Sequence, residues 1–348
     1  HCPVTISTGV YSEGWMMAKI VLGIASSHGP MLGSPATDFL KHADRDIHNK
    51  AHLDRDGVSI LYEDMLKLAD PAIAEELTPG AVEAKAAGCQ AGIARLAEAL
   101  SEAKPDVVVI VGDDQKEQFF EDNLPAMLIY SGATIENNVS PLPKTAPEYW
   151  KRARSQFHED DGVRAYPVAG ELARHFTASL VEAGFDISHS EKLPRARGEG
   201  HAFGFVHKRL MGDRQIPIVP VVLNTYYPPN QPTPRRCFAF GRALADAVRT
   251  WPDDIRVVFV ASGGMSHFTI NQELDRSVME AFLACDGDKL GAIPRVQLNS
   301  GNSEIRNWIV VAGASIGLSP QWHDYIPCYR TPAGTGCGMG FAILENGQ

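Results

Sequence analysis

Short runs of apolar residues recur along the chain without alternating polar positions. The clearest run covers residues 107–111 and is followed at once by Gly-Asp-Asp-Gln. Unbroken runs of this length are typical of strands that are covered on both faces, as in an α/β sheet. The same pattern predicts further strands over residues 19–24, 126–130, 215–224, 255–261 and 338–344.

Between these runs, apolar residues recur at a spacing of three to four, which predicts helices over residues 168–183, 236–249, 271–285 and 303–314. Alternating strands and helices indicate an α/β fold, with a central, largely parallel or mixed sheet flanked by helices. An Ala-rich stretch over residues 33–104 predicts a helical insert or lid after the first strand. We expect one catalytic domain over residues 17–346, preceded by an extension or expression remnant over residues 1–16.

Composition narrows the class of partner. The chain has 348 residues and a formal net charge of -10, which argues against nucleic acid or an anionic membrane as a partner and favours a small molecule. Six cysteines without a C-x-x-C pair favour a reduced, cytoplasmic setting over a zinc knuckle or a redox motif. Without a run of 18 apolar residues, we expect no membrane-spanning segment.

Polar groups follow several of the predicted strands. His28 follows the first strand, Asp113-Asp114-Gln115 follows the 107–111 strand, and Glu273 lies beyond the 255–261 strand, whereas His201 lies in a glycine-bracketed loop. Ligands bind at the carboxyl ends of the strands in open α/β sheets, so these groups could form a divalent metal site. Their donor atoms suit zinc, and they also suit non-haem Fe(II) and oxygen chemistry.

Each of these residues also has a simpler structural explanation. Asp113 or Asp114 could cap the helix that follows, and Glu273 could be a first-turn acid favoured by the helix dipole. His28 could be a loop residue bonded to a backbone carbonyl, and His201 could be an ordinary surface histidine. The set as a whole, and no single member of it, predicts a metal site.

Five stretches resemble the class III extradiol ring-cleavage dioxygenases, the family of the catalytic subunit of protocatechuate 4,5-dioxygenase. They are VLGIASSHGPML (21–32), DVVVIVGDDQKEQF (106–119), PVVLNTYYPPNQPTPRRCFAFGRAL (220–244), VASGGMSHFTINQELD (260–275) and GNSEIRNWIVVAGA (301–314). The resemblance covers most of residues 17–346. The SHGPML, GDDQ and GHAFGF variants look most like the single-chain 3-O-methylgallate dioxygenase branch.

The resemblance implies a non-haem Fe(II) site, O2 as co-substrate, and cleavage of a catecholic ring beside its two hydroxyls. By motif position, His28 and Glu273 match metal ligands, and His201 matches the acid/base histidine. The second histidine ligand is expected where this chain has Gln115, so an amide or the neighbouring Asp114 would have to replace an imidazole. An amide is a weaker and harder ligand than imidazole, and this predicts weaker iron retention.

The resemblance further implies a catecholic acid of the gallate, 3-O-methylgallate or protocatechuate type as substrate. Residues at strand ends or in loops that could line its pocket are Asn224, Tyr226, Ser266, His267, Arg330 and Thr331. Their alternative role is structural, in turns and packing. If the 33–104 segment is a lid, we expect no separate small subunit, although a homodimer is plausible. The alternatives are a metal-dependent hydrolase on the same scaffold and, if the Gln115 substitution has lost the metal, a non-catalytic aromatic-binding homologue.

Overall fold

The computed structural model describes residues 17–212 and 214–346. The expectation for residues 1–16 lies outside the described residues. The strands are β1 (Lys19–Ser26), β2 (Val107–Asp113), β3 (Met127–Tyr130), β4 (Thr134–Asn138), β5 (Val163–Pro167), β6 (Ser188–Ser190), β7 (Ile218–Leu223), β8 (Arg256–Ser262), β9 (His267–Thr269), β10 (Ser319–Tyr329) and β11 (Thr335–Glu345).

The main sheet has the strand order β10-β11-β1-β8-β2-β7-β3-β6, and β9 pairs with β11. Strands β1, β8, β2 and β7 run parallel to one another, whereas β11 is antiparallel to β1 and β3 is antiparallel to β7. The prediction of an α/β fold with a mixed central sheet is therefore confirmed. Strands β4 and β5 form a separate antiparallel pair.

Helices cover both faces of this sheet. They are α1 (Ala36–Phe39), α2 (Tyr62–Leu68), α3 (Pro79–Glu102), α4 (Glu148–Ser155), α5 (Gly170–Glu182), α6 (His201–Phe205), α7 (Pro234–Arg249), α8 (Gln272–Leu283), α9 (Gly287–Gly291) and α10 (Ile305–Ala314). Short 3-10 turns cover Pro30–Gly33, Leu40–Arg45, Pro71–Leu77, Arg295–Leu298 and Ser300–Glu304, and a π-helical turn covers Val206–Met211. Each described helix is too short or too polar to cross a bilayer.

Strand β2 shows why its sequence has no polar alternation. Val109 and Val111 pack into the core between the sheet and helices α5, α7 and α10, whereas Val108 and Ile110 pack into the core on the α3 side. Successive side chains of a strand point to opposite faces, so a strand buried on both faces is apolar throughout. The run at residues 107–111 therefore identifies the centre of the sheet.

Strand β10 was not predicted, because its pattern differs from that of a buried strand. It lies at the edge of the sheet, most of its residues are exposed or half-buried, and it contains Pro320 and Pro327. Edge strands tolerate proline and polar residues, since one side of the strand has no ladder to complete. Strand β11, expected over residues 338–344, extends further in both directions.

The segment over residues 33–104 divides into two parts. Helix α3 packs on the sheet, with Cys89, Leu96 and Leu100 buried in the core, and so forms a structural layer. Residues 42–49 of the segment lie beside the carboxyl ends of the parallel strands, where most of them line a cavity. The lid function of the segment stays a prediction.

Candidate active site

Four buried side chains meet at the carboxyl edge of the sheet: His28, Asp113, His201 and Glu304. Asp113 ends β2, and His28 follows β1 by two residues. His201 is the first residue of α6, and Glu304 ends the turn that leads into α10. One ligand atom from each of the four lies within 4.8 Å of the others.

The ring of His28 is oriented by a serine. Nδ1 of His28 lies 2.9 Å from the hydroxyl of Ser262, and that hydroxyl donates to the carbonyl of Ala202 at 2.7 Å. Because its single proton is used in this way, the Ser262 oxygen accepts the Nδ1 proton, and Nε2 keeps its lone pair. Nε2 lies 3.0 Å from Oε2 of Glu304 and has no hydrogen-bond partner among the residues that the structure describes.

Glu304 is the most closely surrounded carboxylate of the group. Its Oε2 accepts from the backbone amide of Gly264 at 2.5 Å, and its Oε1 accepts from Nε2 of Gln115 at 2.8 Å. Nε2 of His267 lies 3.3 Å from Oε1. Burial opposes ionisation, but the nearby rings of His267 and His28 hold the pKa of Glu304 well below its usual range.

Asp113 is buried below the cavity, and its pKa shifts in the direction opposite to that of Glu304. Nδ2 of Asn307 donates to its Oδ1 at 3.2 Å, and Nε2 of Gln115 donates to its Oδ2 at 3.3 Å. Burial and the charge of Glu304 raise the pKa of Asp113. Two neighbouring buried carboxylates resist carrying two negative charges, and a cation between them would relieve this repulsion.

His201 is held by an acid from the loop after β2. Glu117 accepts from the backbone amide of His201 at 3.0 Å and contacts its Nδ1 at 2.8 Å. The preceding Gly200 has φ +90, and a Cβ atom there would lie 2.7 Å from Oε2 of Glu117, so glycine is required. Burial alone would lower the pKa of His201, but the charges of Glu117, Asp113 and Glu304 raise it to about 9.

A cavity of about 780 Å³ opens over this group. We call the side chains at its base the inner wall, which consists of His28, Gln115, Glu117, His201, His267 and Glu304. The outer wall comes from the loop after β1 and from α4, with one residue that follows β10, and consists of His42, Arg45, Asp46, His48, Trp150, Arg154 and Arg330. The cavity is large enough for a substituted aromatic ring.

One ion pair ties the outer wall to the sheet. Nε and Nη2 of Arg330 each donate to Asp46 at 2.9 Å, and the hydroxyl of Thr335 donates to the same carboxylate at 2.5 Å. Asp46 and Arg330 are both buried. The pair fixes the end of the 40–45 turn against the start of β11.

Comparison with known proteins assigns the family. The family model described as the catalytic LigB subunit of aromatic ring-opening dioxygenase matches residues 70–338, which is more than half of the chain. The chain belongs to this family. The family resemblance deduced from the sequence motifs is thereby confirmed.

Individual members of the family are also similar to the chain. A gallate dioxygenase of Pseudomonas putida is 37% identical over 195 residues, which cover 52% of this chain and 54% of the relative. A 2,3-dihydroxyphenylpropionate/2,3-dihydroxicinnamic acid 1,2-dioxygenase of Comamonas testosteroni is 28% identical, with 50% and 47% covered. One of the same name from Photorhabdus laumondii is 25% identical, with 66% and 65% covered. The matches thus span about half to two thirds of these curated relatives.

The expectation for the carboxylate of the family motif needs correction. Glu273 lies in the first turn of α8, where it is exposed and borders a different cavity, between α2 and the start of α8. Its position fits an acid favoured by the helix dipole. The structure instead brings Glu304 to the group. Glu304 lies in the GNSEIRNW motif, and the signal that the sequence offered was a single acid ahead of a largely apolar helix.

Gln115 and Asp114 take different roles in the structure. Gln115 joins the group, but through its amide nitrogen, which donates to both carboxylates; the reverse orientation would place an oxygen against two others. Asp114 accepts from the backbone amides of Gln118 and Phe119 at 2.7 and 3.1 Å, and so it stabilises the loop. Burial raises the pKa of Asp114 to about 6.

Three of the expected substrate-binding residues reach the cavity and three do not. Tyr226, His267 and Arg330 line it, although Arg330 is already paired with Asp46. Asn224 instead bonds Tyr227 and Asn230 within its own turn, and Ser266 bonds Asp275. Thr331 bonds Thr335. Sequence reasoning also missed Glu117, although it lies within the 106–119 motif, and it missed Trp150 and Arg154, which lie outside the strand-end motifs.

Proposed function

We propose that this chain is a non-haem Fe(II)-dependent extradiol dioxygenase, which uses O2 to open the ring of a catecholic aromatic acid. The observation that carries the proposal is the buried group of His28, Asp113, His201 and Glu304 at the base of a ring-sized cavity. Family membership and the names of the relatives support the same reaction class. Gallate, 3-O-methylgallate and protocatechuate are the substrates to test first.

The donor atoms fit a divalent metal. The lone pair of His28 Nε2 faces a carboxylate oxygen of Glu304 at 3.0 Å, and two such acceptors repel each other unless a proton or a metal ion lies between them. We assign the metal to His28, Glu304 and Asp113, which form a one-histidine, two-carboxylate set with oxygen-rich character. Bound Fe(II) would supply Lewis acidity and one-electron chemistry for joining a catecholate to O2.

Ser262, Gln115 and Asn307 would position these ligands. Ser262 fixes the His28 tautomer, and Gln115 and Asn307 donate to the carboxylates. Such outer contacts usually raise metal affinity by about 10–100-fold. A glutamine at the position where the family motif has histidine is therefore compatible with metal binding, because here it holds the acids in place.

His201 would move the protons. Its Nδ1 is occupied by Glu117, which leaves Nε2 as the ring nitrogen able to exchange a proton with a ligand in the cavity. In its neutral form, the His201 ring would take a proton at Nε2 from a ring hydroxyl placed over His28 and Glu304. The imidazolium that results, which the raised pKa favours, would return a proton from Nε2 to the opening ring. Glu117 keeps the ring oriented and balances its positive charge.

Oxygen uptake by the full chain, loaded with Fe(II) under argon and then mixed with each substrate in air-saturated buffer, tests the proposal. We expect one O2 consumed per substrate, with loss of the aromatic absorption band. Substrate conversion with zinc and without O2 would instead identify a hydrolase. Binding of the catechol without any conversion, by protein that retains no iron, would identify a non-catalytic binding protein.

A further inference from the structure

The outer wall of the cavity carries three arginines, and they differ in how their charges are satisfied. Arg330 forms the buried pair with Asp46. Arg45 is exposed to solvent, and its guanidinium lies over the ring of Trp150 at 4.9 Å. Neither of these two needs a further partner. The third arginine, Arg154, is in a different situation.

Arg154 forms no salt bridge with any carboxylate of the described residues. It lies on α4, one helical turn after Trp150, so both side chains face the cavity. Its Nη2 donates to Nε2 of His158 at 3.1 Å, whereas its Nε is buried and has no acceptor in the described part of the chain. A partly buried guanidinium stays charged, and it is costly without an anion.

The carboxylate that acts most strongly on Arg154 is already engaged. The charge of Glu117 favours the charged form of Arg154 and so raises its pKa, which burial lowers. Both carboxylate oxygens of Glu117, however, are directed to His201, one to the backbone amide and one to the ring. His158 adds no negative charge: its Nε2 accepts a hydrogen bond from Arg154, and burial lowers its pKa to about 4, so the ring is neutral at neutral pH. The positive charge at this wall is therefore left for a ligand.

The position of Arg154 relative to the inner wall suits an aromatic acid. The ring of Phe157 lies 5.6 Å from the Arg154 guanidinium and 5.8 Å from the ring of His201, so these three side chains line one continuous side of the cavity. A ligand with hydroxyls over His28 and His201 would extend its opposite end along this side. Arginine recognises a carboxylate with paired, parallel hydrogen bonds.

We propose that Arg154 forms a carboxylate-binding subsite in the outer wall, which selects catechols that carry an acid group and orients them over His28 and Glu304. The inference rests on the proposed function for the identity of the ring that is bound. His158 acts as a positioning residue, since its neutral ring nitrogen holds the guanidinium in place. Trp150 supplies an apolar surface beside the subsite.

Calorimetric titration under argon, with and without added Fe(II), tests the subsite on the full chain. The probes are 4-hydroxybenzoate and 4-hydroxybenzamide, which share their shape but differ in charge and have a single hydroxyl. We expect the wild-type chain to bind the acid about tenfold or more tightly than the amide. In Arg154→Gln, the ratio of the affinity for the acid to the affinity for the amide should fall close to one. The affinity for the amide should stay within about twofold of the wild-type value.

Two further variants make the test specific. Arg154→Lys keeps the charge but loses the paired geometry, so it should retain only part of the preference. Arg45→Gln removes a charge from the same wall and should leave the ratio within about twofold, because Arg45 is exposed and screened. Unchanged circular dichroism and melting temperature would show that each variant is folded.

Three results would overturn the subsite. They are equal binding of both probes by the wild-type chain, loss of both probes together in Arg154→Gln and Arg154→Lys, and collapse of the ratio in Arg45→Gln alone. Ring cleavage is measured separately. Normal oxygen uptake with no preference for the acid would reject only the subsite, whereas a strong preference without oxygen uptake would reject only the dioxygenase.

Discussion

The inner and outer walls of the cavity are built in different ways. Inner-wall side chains come from strand ends and from the starts of buried helices, and His28, His201 and Glu304 each have fixed partners from another part of the chain. The outer wall comes from a loop and a short helix, and Arg45 and His48 on it are exposed. The rigid wall suits reaction chemistry, which needs fixed geometry, and the looser wall suits recognition of a substituent.

Replacing an inner-wall acid should have the largest effect. Glu304→Gln removes the charge that faces His28, so iron affinity should fall by more than about 100-fold, beyond the loss usual for an outer contact. Turnover should fall below detection. The iron content after desalting measures the change in affinity, and oxygen uptake measures the change in turnover.

Glu273→Gln is the matched control, because it makes the same chemical change at the exposed acid of α8. It should leave both iron content and turnover unchanged. Loss of iron in Glu273→Gln with retention in Glu304→Gln would reverse the assignment of the carboxylate.

A substitution of His201 should affect proton transfer without affecting metal binding. His201→Phe should lower turnover by about 10²–10⁴-fold, the usual range for loss of a general acid/base. Iron retention should stay close to that of the wild-type chain, because His201 is held by Glu117 and is not among the three assigned ligands. Turnover at the wild-type level would remove His201 from the mechanism.

Breaking the ion pair that ties the outer wall to the sheet should reduce stability. Asp46→Asn leaves the buried Arg330 without its charged partner and should lower the free energy of unfolding by about 3–5 kcal/mol. Urea denaturation measures this loss. Arg95→Gln, which breaks the exposed pair with Glu98, should leave the denaturation midpoint unchanged. Equal midpoints for both variants would show that the Asp46 pair does not hold the outer wall.

The outer wall should also be sensitive to acid through His42. Burial and the charge of Arg330 lower the pKa of His42 from 6.5 to about 4. Since the folded value is the lower one, the stabilisation is present above pH 6.5 and is lost as the pH falls towards 4. The stability contribution of His42 should drop by about 2 kcal/mol between pH 7 and pH 5.

His42→Gln should remove that part of the pH dependence. Urea denaturation of both proteins at pH 7 and pH 5 checks this, because the wild-type chain should lose about 2 kcal/mol more than the variant over this interval. Identical losses in the two proteins would contradict a buried, neutral His42.

The parts of the sheet that the sequence could predict are those formed by strands buried on both faces. The centre of the sheet and the strand ends that carry His28 and Asp113 were predictable, because a strand buried on both faces leaves an unbroken apolar run. Strand β10 was not, since an edge strand needs no such run. His201 was accessible only through its glycine-bracketed motif and the family resemblance.

The choice between Glu273 and Glu304 could not be made from spacing. Both acids lie next to helix starts, and only the folded chain shows that one start is exposed and the other buried. Arg154 was also beyond the sequence, because its significance lies in the absence of a described carboxylate partner, which is a property of tertiary contacts. The local pattern of apolar and polar residues identifies helices and strands. The pairing of charged side chains depends instead on which distant parts of the chain come into contact.

The most direct test of the central claim follows the oxygen atoms. The Fe(II)-loaded chain is supplied with ¹⁸O2 and the catecholic acid that supports uptake, and the ring-opened product is analysed by mass spectrometry. The proposed function predicts that both labelled atoms enter the product. A product whose new oxygen comes only from water, or an intact ring after full contact with ¹⁸O2, would contradict a ring-cleaving dioxygenase built on His28, Asp113 and Glu304.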